Sequence, residues 1–245
     1  KERWRLGKMS RSQRKPALLL AVLEKASLAV ESLRSLRTTL HFAMLEARSN
    51  SILITGPAPR VGKSFIAANF AVVMAQSGKR ILLVDGDLRR GGLHSLFGLS
   101  REGGVSEYVS EGLELEAVIH PTLVQGLDFI PTGVLPPNPS EVLMHQRFAT
   151  LLSQAEQRYD LVLLDSSPVL AATDAVIIGQ HVGAALMVIR AGLHPPRELR
   201  DTVKRLANGG TILPGVIFND MPLAKGRYGY GYGKYAYRYS YKREG

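Results

Sequence analysis

The chain has 245 residues, is 45% hydrophobic and carries a formal net charge of +10, which fits one large α/β domain or two small ones with a sizeable core. It contains no cysteine, which excludes disulfides and thiolate zinc sites and suits a reducing compartment. No apolar run approaches the roughly 18 residues needed to span a bilayer, and the opening Lys-Glu-Arg-Trp-Arg shows neither a signal peptide nor an initiator methionine, as expected of a piece of something longer.

The charge is unevenly placed. Residues 1–16 sum to +6 and residues 224–245 to +5, so the stretch between sums to −1. Three segments follow: a basic lead-in over 1–16, a near-neutral folded body over 17–223, and a basic tail over 224–245. The lead-in reads either as a juxtamembrane segment drawn to anionic lipid or as a solvated linker. A neutral body has no basic face of its own, which argues against a nucleic-acid groove in the domain.

Residues 17–48 read as helical. Glu31, Arg34 and Arg37 recur every third residue and so fall near one face, with Leu33, Leu36 and Leu40 on a neighbouring one. Such a charged face is either solvated or a docking surface for another subunit. Next comes an apolar strand (Ile52, Leu53, Ile54) that runs into Gly56-Pro57-Ala58-Pro59-Arg60-Val61-Gly62-Lys63-Ser64-Phe65, followed by a helical pattern through Met74. This is G-x-x-x-x-G-K-[ST] with a strand before it and a helix after it, the context that gives the motif its meaning. The two glycines let backbone N–H groups turn towards phosphate oxygens, and the helix offers its positive end to the same anion. Lys63 is placed to reach the β- and γ-phosphates, and the Ser64 hydroxyl to sit on Mg²⁺.

A second buried strand, Ile81 to Val84, ends in Asp85 and Asp87, with Arg89 and Arg90 beyond. In a parallel sheet ligands lie outside the carboxyl ends of the strands, which puts these carboxylates beside the triphosphate. Residues 93–126 read as short helices and loops, Leu127 to Ile130 as a strand, and Ser140 to about Gln157 as one helix after the rigid Pro136-Pro-Asn-Pro turn. Leu161 to Leu164 is another buried strand, ending in Asp165, in the pattern of a second metal-binding carboxylate. Helix over Ala175–His181, strand over Ala184–Ile189, helix over Pro195–Asn208 and strand over Gly215–Phe218, before Asn219, complete an alternation. It predicts a P-loop NTPase-like α/β fold, a mainly parallel sheet covered on both faces.

The tail departs from this pattern. Seven of the nine tyrosines lie in it, at Tyr228, Tyr230, Tyr232, Tyr235, Tyr237, Tyr239 and Tyr241, interleaved with Gly, Lys, Arg and Ser. No apolar face forms, and the glycines and terminal position argue for disorder over an edge strand. Two functions fit the pattern: base stacking on single-stranded nucleic acid, or a row of phosphate acceptors.

Taken together, these motifs resemble the bacterial tyrosine kinases, in particular the cytoplasmic kinase domain of Wzc-type polysaccharide co-polymerases. The resemblance runs from about Glu31 to the end. It rests on the Glu31-x-x-Arg34-x-x-Arg37 face, the phosphate loop with Leu83-Val-Asp-Gly-Asp-Leu-Arg89 and Leu161 to Asp165, the tyrosine cluster, and Pro136 to Met144. It implies ATP and Mg²⁺ as cofactors and Lys63, Asp85 and Asp87 as catalytic residues, with Asp85 as base for the acceptor tyrosine. Ser64, Asp87 and Asp165 would serve the metal, and Asn219 would lie near adenine. It implies a homo-oligomeric ring built through Glu31, Arg34 and Arg37, with an octamer as the size to test. The tyrosines would be phosphorylated in trans, a low-molecular-weight tyrosine phosphatase would act as partner, and polysaccharide export and polymerisation machinery would be controlled. The domain would sit at the cytoplasmic face of the inner membrane, anchored through a part outside this chain, with no nucleic-acid partner. Two departures stand out. Asp165 is followed by Ser166-Ser167-Pro168 where the family often has Asp-x-Pro-Pro, and Arg60 stands where a small or acidic residue is usual. The competing reading is a partition or septum-positioning ATPase acting on membrane or DNA. It typically has a second lysine early in the phosphate loop, whereas Pro57 and Ala58 follow Gly56 here.

Overall fold

The computed structural model describes residues 19–23, 27–44 and 47–221. The basic lead-in and the seven tail tyrosines lie outside the described residues. In chain order the elements are α1 (Leu20–Leu23), α2 (Leu28–Ala43), β1 (Ser51–Thr55), α3 (Lys63–Ala75), β2 (Ile81–Asp85), α4 (Leu93–Phe97), α5 (Val105–Ser110), α6 (Leu115–Val118), β3 (His120–Pro121), β4 (Leu127–Ile130), α7 (Pro139–Met144), α8 (Gln146–Arg158), β5 (Leu161–Asp165), α9 (Asp174–Gly179), β6 (Ala184–Arg190), α10 (Pro196–Asn208) and β7 (Gly215–Asn219).

The strands form one sheet in the order β3-β4-β2-β5-β1-β6-β7. All pairings are parallel except β3 with β4, a two-residue antiparallel edge. β1, β2 and β5 are buried along their whole length, as expected of strands covered on both faces. One face packs against α3, with α1 and α2 stacked outside it, and the other against α5, α8 and α9. α3 is apolar nearly all round because it lies between the sheet and α1–α2. Its buried Asn69 accepts from the Ala21 N–H at 3.0 Å and donates to the Phe65 carbonyl at 2.9 Å, which ties α1 to this layer.

Three features differ from the sequence reading. The helix expected over residues 17–48 is two helices, α1 and α2. The helix expected from Ser140 to about Gln157 breaks at His145, which has extended backbone (φ −67°, ψ 139°) and whose Nδ1 accepts from the Arg147 N–H at 3.2 Å, capping α8. The break lets Arg147 donate to the carbonyls of Tyr108 (2.9 Å) and Leu113 (2.8 Å) and stack over the Tyr108 ring. The third feature, β3, is too short for alternation to reveal.

Candidate active site

The phosphate loop joins the carboxyl end of central β1 to α3. Both loop glycines are forced by close approach. A β-carbon on Gly56 would lie 2.5 Å from the Val188 carbonyl oxygen, and one on Gly62, at φ 99°, would lie 2.1 Å from the Asn219 amide nitrogen. Gly62 caps α3 with no side chain of its own, so the first N–H groups of the helix stay free for an anion. Asn219, at the end of β7, donates to the Val61 carbonyl at 2.9 Å and braces the loop from the far side. Val61 and Pro57 are buried, Lys63 is 7% exposed, Ser64 and Ala58 are half-buried, and Pro59 and Arg60 face solvent. Arg60 adopts φ 63°, a left-handed conformation uncommon for a non-glycine residue.

The two strand-end carboxylates are brought together by register. Asp85 of β2 stands directly opposite Asp165 of β5, and Ile54 of β1 lies on the other side of Asp165. The Gly86 N–H donates to the Asp165 carbonyl at 3.0 Å, which fixes the two strand ends side by side. Burial, with Asp165 next to it, pushes the Asp85 carboxyl up to about 8, although N–H groups of Leu93 (3.1 Å) and Asp87 (3.3 Å) donate to it. Burial likewise raises Asp165, to about 6, against the opposing pull of the Lys63 ammonium and the Ser64 hydroxyl. Asp85 is thus fully buried with both oxygens engaged, whereas Asp87 is half-buried and accepts from the N–H groups of Arg89 (3.3 Å) and Arg90 (3.2 Å).

These residues fit a Mg–nucleotide. Asp165 Oδ1 and Thr55 Oγ1, at the ends of adjacent strands, are buried with no hydrogen-bond partner, an arrangement that is costly unless a ligand or water completes it. Among the described residues no three His, Cys, Asp or Glu side chains converge into a metal cage. Mg²⁺ needs none, since it keeps waters and takes phosphate oxygens, with only one or two protein groups.

Glu31, Arg34 and Arg37 all lie on α2, remote in sequence from the loop. Arg34 donates to Glu31 at 2.9 Å, an exposed pair, while Leu33 and Leu40 point into the core. Arg37 lines a cavity of about 590 Å³ with Leu40, Met44 and Lys79. Sequence reasoning missed Thr55, a strand-end hydroxyl with no motif to mark it, and Asp174. Asp174 is fully buried and takes two hydrogen bonds from Arg89, at 2.7 and 3.0 Å.

Fold and site define a phosphate-loop nucleotide-binding domain. A family model described as an AAA domain matches residues 52–180. The tyrosine-protein kinase wzc of Salmonella typhimurium is 44% identical over 207 residues, 84% of this chain and 29% of that protein. The kinase domain of the Escherichia coli tyrosine kinase ETK is 44% identical with a TM-score of 0.83, covering 90% of this chain and 87% of that one. The BceF tyrosine kinase domain is 50% identical with a TM-score of 0.77, covering 82% and 81%. The chain belongs to the bacterial tyrosine-protein kinase family, as a kinase domain of it. It spans about 30% of the length of the curated relatives it matches.

Proposed function

We propose that this domain transfers the γ-phosphoryl group of ATP to tyrosines 228, 230, 232, 235, 237, 239 and 241 of a neighbouring copy in a ring. The observation that carries the reading is the phosphate loop set against paired, buried carboxylates in a chain of this family. Phosphoryl transfer needs positioning and charge neutralisation more than covalent help. The loop amides from Gly56 to Ser64 and the Lys63 ammonium hold the β- and γ-phosphates. Ser64, Asp87 and Asp165 hold Mg²⁺, which when bound neutralises charge on the phosphate oxygens. Asn219 keeps the loop closed beneath the nucleotide and lies on the adenine side.

A tyrosine hydroxyl, with a pKa of about 10, must lose its proton as the new P–O bond forms and the bond from the γ-phosphorus to the bridging oxygen breaks, with ADP as the leaving group. Asp85 takes that proton. It does so in its ionised form, which the charge of bound Mg²⁺ would favour against the burial that raises it in the protein alone. In the cell the ring faces the cytoplasm at the inner membrane, held there through the remainder of the protein. Its phosphorylation state, reset by a low-molecular-weight tyrosine phosphatase, governs polysaccharide polymerisation and export.

The decisive experiment is incubation with Mg-ATP, followed by intact mass and tail-peptide mass spectrometry, beside Lys63→Met and a truncation at Ala224. Several added phosphates on the parent tail and none in either control are expected. ATP turnover with no phosphate on the protein would overturn the reading in favour of a partition-type ATPase.

A further inference from the structure

Three loops around the site meet at one buried carboxylate that the proposed chemistry does not use. Asp174 opens α9 and has no exposed surface. Arg89 Nε donates to its Oδ2 at 2.7 Å and a terminal guanidinium nitrogen to its Oδ1 at 3.0 Å, a bidentate fork. Ser140 of α7 donates to the same Oδ1 at 2.8 Å, and Ser167, two residues beyond Asp165, to Oδ2 at 3.2 Å. The guanidinium also donates to Ser140 Oγ at 3.2 Å. Arg89 and its network therefore join the loop after β2, the loop after β5 and the start of α7. Ser140 ends the Pro-Pro-Asn-Pro-Ser turn, and Ser167 belongs to the Ser-Ser-Pro sequence after Asp165.

The other end of Arg89 reaches the site. Its backbone N–H, with that of Arg90, donates to Asp87 Oδ1. The Asp87 carboxylate thus rests in a two-amide cradle, and the Arg89 fork pins that cradle to α9. We propose that the Arg89–Asp174 pair, with Ser140 and Ser167, is a positioning clamp that holds Asp87 where Mg–nucleotide requires it. This rests on the reading of Asp87 as a metal-serving carboxylate. The Arg89 side chain is 42% exposed but Asp174 is fully buried, so removing the guanidinium leaves a buried carboxylate short of its cation and carries a stability cost beside the local one, which the thermal midpoints separate from the metal effect. Lysine at position 89 would keep the charge and lose the fork.

The test uses the 245-residue chain as Arg89→Gln, Arg89→Lys and Asp174→Asn. Binding of a fluorescent ATP analogue is measured in EDTA and across a Mg²⁺ titration, beside thermal midpoints. Residues that orient metal-serving groups typically cost about 10–100-fold in metal affinity when removed. The Mg²⁺ half-saturation point should rise by about that range in Arg89→Gln and Asp174→Asn and by less in Arg89→Lys, with binding in EDTA within about twofold of the parent. An unchanged Mg²⁺ requirement in all variants overturns the clamp. So does an equal loss of binding with and without metal, the signature of a merely structural pair. If Asp174→Asn does not fold, the two substitutions at half-exposed Arg89 decide alone. Because the readout is nucleotide binding, it judges the clamp even in a chain that forms no phosphotyrosine.

Discussion

Gly62 shows how tightly single residues are constrained here. It needs a left-handed backbone, and the space for a β-carbon is filled by the Asn219 amide that braces the loop. Gly62→Ala combines backbone strain of about 1–3 kcal/mol with displacement of that brace. Nucleotide affinity, measured by titration calorimetry, should fall about tenfold or more, since 1.4 kcal/mol is a factor of ten. Affinity within about twofold of the parent would show that Asn219 swings aside freely. Arg60, two residues earlier, holds a left-handed conformation with a side chain that faces solvent, so the loop tolerates strain where nothing crowds it.

At the scale of elements, the strands and the loop were legible and the joints were not. Ile52–Ile54, Ile81–Val84 and Leu161–Leu164 are continuous apolar runs, and the structure buries each as a parallel strand. A lysine-serine pair after a glycine, between strand and helix, has few other uses, so Lys63 and Ser64 could be found from sequence. His145 could not. Its extended backbone is favoured by the tertiary reach of Arg147 to Tyr108 and Leu113, contacts far away in sequence. Asp174 escaped for the same reason, because its partners come from three separate segments. Helix α2 carries its own prediction. The Glu31–Arg34 pair is an exposed i,i+3 contact, worth roughly 0.3–0.5 kcal/mol to the isolated domain. Replacing Glu31, Arg34 and Arg37 by alanine should move the thermal midpoint little. If this face joins subunits, the same change abolishes any large species seen by light scattering. A ring that survives the triple change would remove α2 from the interface.

For the whole molecule, the charge distribution sets the expected behaviour. The tail segment carries +5 against a body near neutral. Each phosphotyrosine adds roughly −1.5 to −2 at pH 7, so full modification takes the tail to roughly −5 to −9. Tails converging around the proposed ring would then repel, and that ring should dissociate on phosphorylation and re-form when a phosphatase removes the phosphates. The same elution volume before and after complete phosphorylation would count against this switch.

The register of β2 against β5 has a consequence for the protein's response to pH. It seats two acids side by side in a dry part of the domain, and both carboxyls are raised above the ordinary range. Natural folds accept such local conflict where function requires it. The folded protein therefore holds protons that the unfolded chain has released, so these two groups favour folding less as pH rises from the ordinary carboxylate range towards about 8.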